Sequence, residues 1–301
     1  MRNSTKSLVA RQYVIPFILV TSLFFMWGFA RAILDVLNKH FQTTMDITIT
    51  RSAMIQATTY LGYFIMALPA GLFINRFGYR RGVVLGLMFF AFGSLLFIPS
   101  ELTVSFNFFL VSLFIIGCGL VVLETAANPY VTELGDRSTA ASRLNLAQSF
   151  NGLGCILAPL IMGQILFTGD EGINVALTYS VMGVVVLIVA LIFSRVKLPE
   201  ITDGSSAGDY DAQSTGTVIS KLLHNKRFVF GVSALFCYEI SEISINSFFI
   251  NYVTDGGWMT SKTAAVVLSF GGLGLFMAAR VTGSWIMSRI AAEKVLCFCA
   301  I

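Results

Sequence analysis

A run of about 20 consecutive apolar residues is long enough to cross a bilayer, and lipid leaves the backbone of such a run little choice but helix. This chain carries runs of that kind at 14–36, 51–75, 82–99, 104–131, 143–168, 175–195, 227–253 and 262–288, and another begins near residue 293, close to the last residue, Ile301. Composition agrees, since 56% of the 301 residues are hydrophobic and 12% charged, against about 25% charged in soluble domains. The expected fold is an all-α polytopic membrane protein. The first run starts after Arg11 and continues past Trp27 without a small-residue cleavage site, so it is expected to persist as a helix and not to act as a removable signal. Cys118, Cys155, Cys237, Cys297 and Cys299 all lie in apolar segments, where they are expected as small buried hydrophobes.

Loop charge sets the expected orientation. Arg2, Lys6 and Arg11 precede the first run, and Arg76, Arg80 and Arg81 separate the second from the third. Arg137, Arg143, Arg195, Lys197, Lys221, Lys226, Arg227, Arg289 and Lys294 continue the same series of alternate loops. Those loops hold fifteen basic residues, while the opposite loops hold only Lys39, Arg51 and Lys262. Basic loops stay in the cytoplasm, so the N-terminus is expected there. The net charge of +4 arises in these short loops and gives no reason to expect a nucleic-acid partner.

The segment 199–221, PEITDGSSAGDYDAQSTGTVISK, is the one long polar stretch, and its Gly, Ser and Asp content suits a flexible cytoplasmic linker. It divides the chain into a six-helix bundle (1–197), a linker (198–226) and an incomplete second bundle (227–301) of two helices and the start of a third. Six helices, a central loop and more helices is the plan of the major facilitator superfamily, whose halves are parallel repeats. GLFINRFGYRRG, residues 71–82, resembles the superfamily's signature between helices two and three, with a glycine for close helix packing and arginines marking the cytoplasmic side; Asn75 stands where the signature has an acid. GSWIMSRIAAEK, residues 283–294, is a fainter echo at the equivalent place in the second half.

Six charged residues remain inside the spans: Arg31, Asp35, Glu124, Glu239, Glu242 and Arg280. Each costs a few kcal/mol at the centre of a span and needs a reason to be there. Glu124, in GLVVLETAANPY, lies nine residues before Glu133, which is expected at the cytoplasmic surface. That places it about 13 Å deep, near the midplane. It either pairs permanently with Arg31 or Arg280, or acts as a carboxyl that takes a proton from one side and releases it to the other, because desolvation disfavours its charged form. Proton coupling is the expected role. Asp35, 24 residues after Arg11, is expected near the outer end of helix one, either as an interfacial acid or, in a tilted helix, as a second membrane carboxyl. Arg31 and Asp35, four apart, share a helix face. Glu239 and Glu242 form a polar stripe with Tyr238, Asn246 and Asn251, and such a stripe turns toward a cavity.

RLNLAQSFNGLG, residues 143–154, places Asn145, Gln148 and Asn151 at three-residue intervals. Amides both donate and accept hydrogen bonds, as sugar hydroxyls require, though they also bond helices to one another in membranes. Asn128-Pro129 is expected to interrupt helix four, since proline lacks the N–H donor. Trp27 offers a ring on which a sugar can stack. His40 and His224 are expected in loops, far apart, and the sequence contains no GxSxG, P-loop or CxxC motif. GGLGLF, residues 271–276, is expected to be a helix-packing stretch. No enzyme, cofactor or metal reading follows.

LETAANPYVTELG followed by RLNLAQSFNGLG resembles the fucose:proton symporter family of the major facilitator superfamily, and the likeness runs from FFMWGFARAILDVLNKHF to TGSWIMSRIAAEKVL. The resemblance implies that Asp35 and Glu124 are the family's two membrane carboxylates for proton coupling and sugar binding, that Gln148 and Asn151 are its helix-five polar positions, and that Arg280 is its helix-eight arginine. Glu242, in SEISINSFFINY, resembles an acid of glucose/galactose members. Arg31, Ala32 and Leu34 replace a more amide-rich stretch, and Glu239 is an additional acid. The implied activity is proton-coupled symport of L-fucose or a related hexose across a bacterial inner membrane by alternating access. Such proteins have twelve helices, so the chain is expected to be a C-terminally shortened form. The candidate sugar site comprises Asp35, Glu124, Gln148, Asn151, Asn145, Glu242 and Arg31, with sugar, protons and the bilayer as partners. Two other readings are a non-transporting, truncated or degenerate sugar-binding membrane protein, and an exporter of amphiphiles with a more apolar pocket.

Overall fold

In lipid, every backbone N–H and C=O must be satisfied within the segment, and each apolar run accordingly winds into a helix. The computed structural model describes residues 9, 11–136, 139–167, 175–196, 215–287, 294–295 and 297–298. Among the described residues, eight helices are long and apolar enough to cross a membrane: α1 (Arg11–Thr44), α2 (Ile49–Phe77), α3 (Tyr79–Leu102), α4 (Phe106–Glu133), α5 (Ser142–Leu166), α6 (Val175–Arg195), α7 (Lys226–Asp255) and α8 (Ser261–Gly283). They coincide with the eight expected spans to within a few residues, except that α1 continues past residue 36 to Thr44. His40 therefore lies inside a helix and not in a loop. The ninth run, the echo at 283–294 and residues 197–214 of the linker lie wholly or largely outside the described residues. The end of the expected linker is ordered as an exposed helix, Thr215–His224, with Lys221 and His224 in its last turn, where basic side chains complement the helix dipole.

α4 is the centre of the first six helices, packed along both α2 and α3, while α1 lies along α5 and α3 along α6. Small residues permit these approaches, since helices in lipid associate by close packing and not by expulsion of water. A Cβ on Gly119 of α4 would lie 2.6 Å from the backbone nitrogen of Phe90 in α3. In the α1–α5 seam, a Cβ on Gly28 would strike the carbonyl of Asn151, and one on Gly154 the carbonyl of Phe25. The perimeter is apolar and open: Phe64, Ile65, Leu68 and Leu72 of α2 are exposed, while Ile55, Gln56 and Thr59 of the same helix are buried. That division is the signature of one face on lipid and one on protein.

At the basic end of the bundle, Gly78 turns the chain from α2 into α3 with φ 86°, a left-handed conformation that glycine adopts at little cost. Arg80 then donates to the carbonyls of Phe193 and Ser194 at the end of α6, so the 71–82 signature joins three helices. Its first glycine, Gly71, faces open space, and the expected close packing is found instead at Gly82, whose Cβ would lie 2.6 Å from Ile74 Cγ1. Arg143 is fully buried. It donates to the carbonyls of Val131 (3.1 Å), Asp136 (3.1 Å) and Thr132 and to Thr139 Oγ1 (2.5 Å), satisfying carbonyls that the end of α4 leaves without partners.

Other local expectations are revised. α4 does not end at Asn128-Pro129 but runs through it to Glu133; the proline removes only the N–H that would have reached Thr125. The glycine-rich stretch of α8 lies in a π-helical turn, Leu268–Leu273, and Cβ atoms on Gly271 or Gly272 would meet only Val267 and Leu268 of the same helix. It is a widened turn that packs on α5 through Leu268, Ser269 and Leu273 and not through its glycines, a feature frequent beside functional sites. Cys118 and Cys155 are buried as expected, whereas Cys237 and Cys297 are exposed.

Candidate functional site

Charged side chains in a membrane bundle turn toward one another or toward a polar interior. Here all six do so at one place. Arg31 and Asp35 from α1, Glu124 from α4, Glu239 and Glu242 from α7 and Arg280 from α8 line a single cavity of about 150 Å³. Trp27, Tyr60, Gln148, Asn151, Asn246 and Phe276 complete much of its wall. Of the expected site residues, Asn145 alone does not line it. Six helical residues turn through 600°, so Asn145 points about 120° away from Asn151; a three-residue spacing drifts around a helix and does not hold one face.

Asp35 lies well inside α1 and not at its end. Because α1 runs nine residues beyond it, to Thr44, Asp35 lies about 13 Å from that end, as deep as Glu124 is from Glu133 at the other. Its Oδ1 accepts from Ser247 Oγ at 3.0 Å and from Gln56 Nε2 at 3.4 Å. Arg31, one turn away, reaches across the cavity instead. Its Nε donates to Tyr60 Oη at 3.1 Å, and its Nη2 lies 3.6 Å from Glu239 and 4.0 Å from Glu242. Arg280 donates to Gln148 Oε1 at 3.3 Å and lies 4.4 Å above the Phe276 ring. Both guanidiniums are thus engaged elsewhere. Among the described residues, the Glu124 carboxyl has no hydrogen bond and no ion pair, so it is not permanently paired with Arg31 or Arg280.

The helix-five amides divide between the two roles open to them. Gln148 bridges side chains in the cavity wall, donating to Asn128 Oδ1 at 3.2 Å while accepting from Arg280. Asn151, 7% exposed, donates to the Phe24 carbonyl at 3.2 Å and so ties α5 to α1. Trp27 donates to Tyr63 Oη at 3.1 Å, which fixes its ring against the site. Sequence reasoning missed Tyr60, Tyr63, Cys155 and Phe276. The first two carried a usable signal, since Gln56, Tyr60 and Tyr63 recur at steps of four and three, the period of one helix face.

Four carboxyls and two guanidiniums, together with three amides and aromatic faces, form a wall of dense donors and acceptors. A small molecule rich in hydroxyls can meet carboxylates as a donor and guanidiniums or amides as an acceptor. The excess of acids over guanidiniums gives the site room to take up protons with it. A wall this polar does not suit the hydrocarbon portion of an amphiphile.

Residues 17–301 match the family model described as the Major Facilitator Superfamily. The chain is 35% identical over 311 residues to the L-fucose-proton symporter of Escherichia coli (strain K12), a match covering 95% of this chain and 70% of that protein. It is 34% identical over 290 residues to the glucose/galactose transporter of Brucella abortus biovar 1 (strain 9-941), covering 93% of this chain and 68% of that one. In structure it is similar to a crystal structure of a major facilitator superfamily transporter, FucP, in the outward conformation, with a TM-score of 0.74 at 34% identity over 95% of this chain and 74% of that one.

Proposed function

This chain belongs to the major facilitator superfamily, and on that premise we propose that it carries L-fucose or a related hexose across a bacterial inner membrane together with protons. One observation carries the reading: the six charges expected inside the spans line one small polar cavity, and among the described residues the Glu124 carboxyl has no hydrogen bond or ion pair there. Glu124 and Asp35 are the proton-coupling carboxyls in this reading. Gln148, Glu242 and Arg31 hold the sugar, with Trp27 and Phe276 against the ring's apolar face, while Asn151 ties α5 to α1 in the wall behind it. Asn145 drops from the set. The basic end, with Arg76, Arg80, Arg81 and Arg195, is cytoplasmic by the positive-inside rule, and so is the N-terminus. Residues 1–197 and 227–301 act as the two moving bodies, joined by 198–226, with the cavity between them.

In such a cycle the site faces one side at a time while the bodies rock about it. A free carboxyl at the site can bind a proton in one orientation and lose it in the other. Sugar and proton then stabilise each other's binding, because both act on the same group of side chains. The experiment is proton uptake by the protein reconstituted in weakly buffered vesicles. Addition of L-fucose, D-glucose or D-galactose is expected to alkalinise the outside for one of them. Glu124→Gln is expected to abolish that signal and uphill accumulation while keeping sugar exchange, since the amide mimics the neutral acid. Accumulation with alkalinisation in Glu124→Gln would overturn the assignment.

A further inference from the structure

Beyond the Arg31 contacts at the cavity, the hydrogen bonds and the Lys39–Asp255 ion pair between α1 and the far half of α7 gather at one end of the bundle, the outer end in the orientation proposed above. Ser247 is their centre. Its hydroxyl donates to Asp35 Oδ1 at 3.0 Å, while its backbone carbonyl accepts from Asn38 Nδ2 at 3.0 Å. Nearer the surface, Lys39 Nζ meets Asp255 Oδ1 at 2.8 Å. Ser247 is 1% exposed and Asn38 0%. One residue of α7 thus holds both a site carboxyl and an amide one turn further along α1. Beside the α1–α7 seam, Ala265 of α8 closes on Gly163 of α5. The opposite half of α7 differs, with residues 226–238 all exposed.

The seam is closed but not saturated. Among the described residues, Asn251 buries both its amide nitrogen and its amide oxygen without a hydrogen-bond partner, and Asn38 does the same with its Oδ1. Such groups find partners either in a water at the seam or in a parting of the two helices. In a contact that parts and re-forms, they regain water each time it opens. The Ser247 bonds and the Lys39–Asp255 pair hold the seam closed.

We infer that Ser247 is a positioning residue for Asp35 and, with Asn38 and the Lys39–Asp255 pair, forms the outer clamp of this transporter. While Ser247 is bonded to Asp35, the outer ends of α1 and α7 are held together and the cavity is shut to the outside. Breaking that bond releases the carboxyl and the gate in one event. The clamp rests on the transport reading above for its purpose, but its test does not depend on sugar.

Cys155 lines the cavity and serves as a built-in reporter. In the protein in intact cells, with Cys118, Cys237, Cys297 and Cys299 replaced by serine, a small charged methanethiosulfonate reagent that cannot cross the membrane reaches Cys155 only through an outer opening. Ser247→Ala and Asn38→Ala are each expected to raise the labelling rate about two- to tenfold, the population shift for one lost hydrogen bond. Ser247→Thr keeps the hydroxyl and is expected to label as the parent does. Lys39→Asp is expected to raise labelling, and adding Asp255→Lys to restore it. Unchanged or slower labelling in folded Ser247→Ala and Asn38→Ala overturns the clamp, whatever the protein transports. If neither folds, the Lys39–Asp255 reversal decides: no rise, or no restoration, overturns it. The expected shifts in a protein that moves no sugar would sink the sugar assignment and leave the clamp standing.

Discussion

Gln148 and Asn151 look alike in sequence, two amides three residues apart, and the fold gives them different tasks. Both ends of the Gln148 side chain meet other side chains in the cavity wall, Asn128 and Arg280, and a sugar hydroxyl can take the place of either. Asn151 donates to a backbone carbonyl of the neighbouring helix, and its own carbonyl is where a side chain on Gly28 would collide. Gln148→Ala is therefore expected to weaken sugar binding about two- to tenfold, the worth of a hydrogen bond of roughly 0.5–1.5 kcal/mol, with the yield of folded protein unchanged. Asn151→Ala is expected to lower the melting temperature in detergent first, by removing an interhelical bond of about 0.6 kcal/mol. Calorimetric sugar titration beside a thermal melt checks both, and the opposite pattern would exchange their roles. Which residues were polar and deep was legible in the sequence. Which of them already had a partner was not, because a hydrogen bond depends on the neighbouring helix. Arg31 shows the same limit: its spacing points to Asp35, yet its guanidinium crosses to Tyr60, Glu239 and Glu242.

At the scale of single helices, span existence was legible and span length was not. Asn38, Lys39 and His40 look like the beginning of a loop, but α1 continues through them to Thr44. Asn38 and Lys39 are held in helix by α7, through the Ser247 carbonyl and Asp255, so a tertiary contact overrides a local polar signal. Likewise Pro129 reads as a stop, and the packed helix tolerates it. Glycine positions make the difference between local and tertiary information measurable. Gly28 and Gly154 lie where α1 and α5 touch backbone to backbone, whereas Gly71 and Gly231 have no neighbour within 4 Å of an added Cβ. Gly28→Ala and Gly154→Ala are each expected to destabilise the protein by about 1–3 kcal/mol, the cost of overpacking a tight contact. Gly71→Ala and Gly231→Ala are expected to be neutral or slightly stabilising in helix. Thermal melts of the four variants in one detergent check this, and equal losses at all four would mean that the seams are not as close as described.

For the whole molecule, the asymmetry of basic loops leads to a topology that can be read directly. In a cysteine-free background, Thr50→Cys is expected to react with an impermeant thiol reagent in intact cells, and Ser220→Cys only after the membrane is opened. Both positions are exposed, so the reverse pattern would invert the orientation and place the Ser247 clamp on the cytoplasmic side. The eight spans found among the described residues and the six charges inside them were legible in the sequence alone, because crossing a bilayer and desolvating a charge are requirements that each segment meets by itself. What only the tertiary structure decided is that α1, α4, α7 and α8 bring those six charges to one cavity, that both arginines find partners other than Glu124, and that Ser247 closes on Asp35. Several of these relations join segments far apart in the chain, 132 residues for Arg280 and Gln148 and 212 for Asp35 and Ser247. No local pattern encodes them; they arise when the bundle packs and each polar group must find its partner among those its neighbours present.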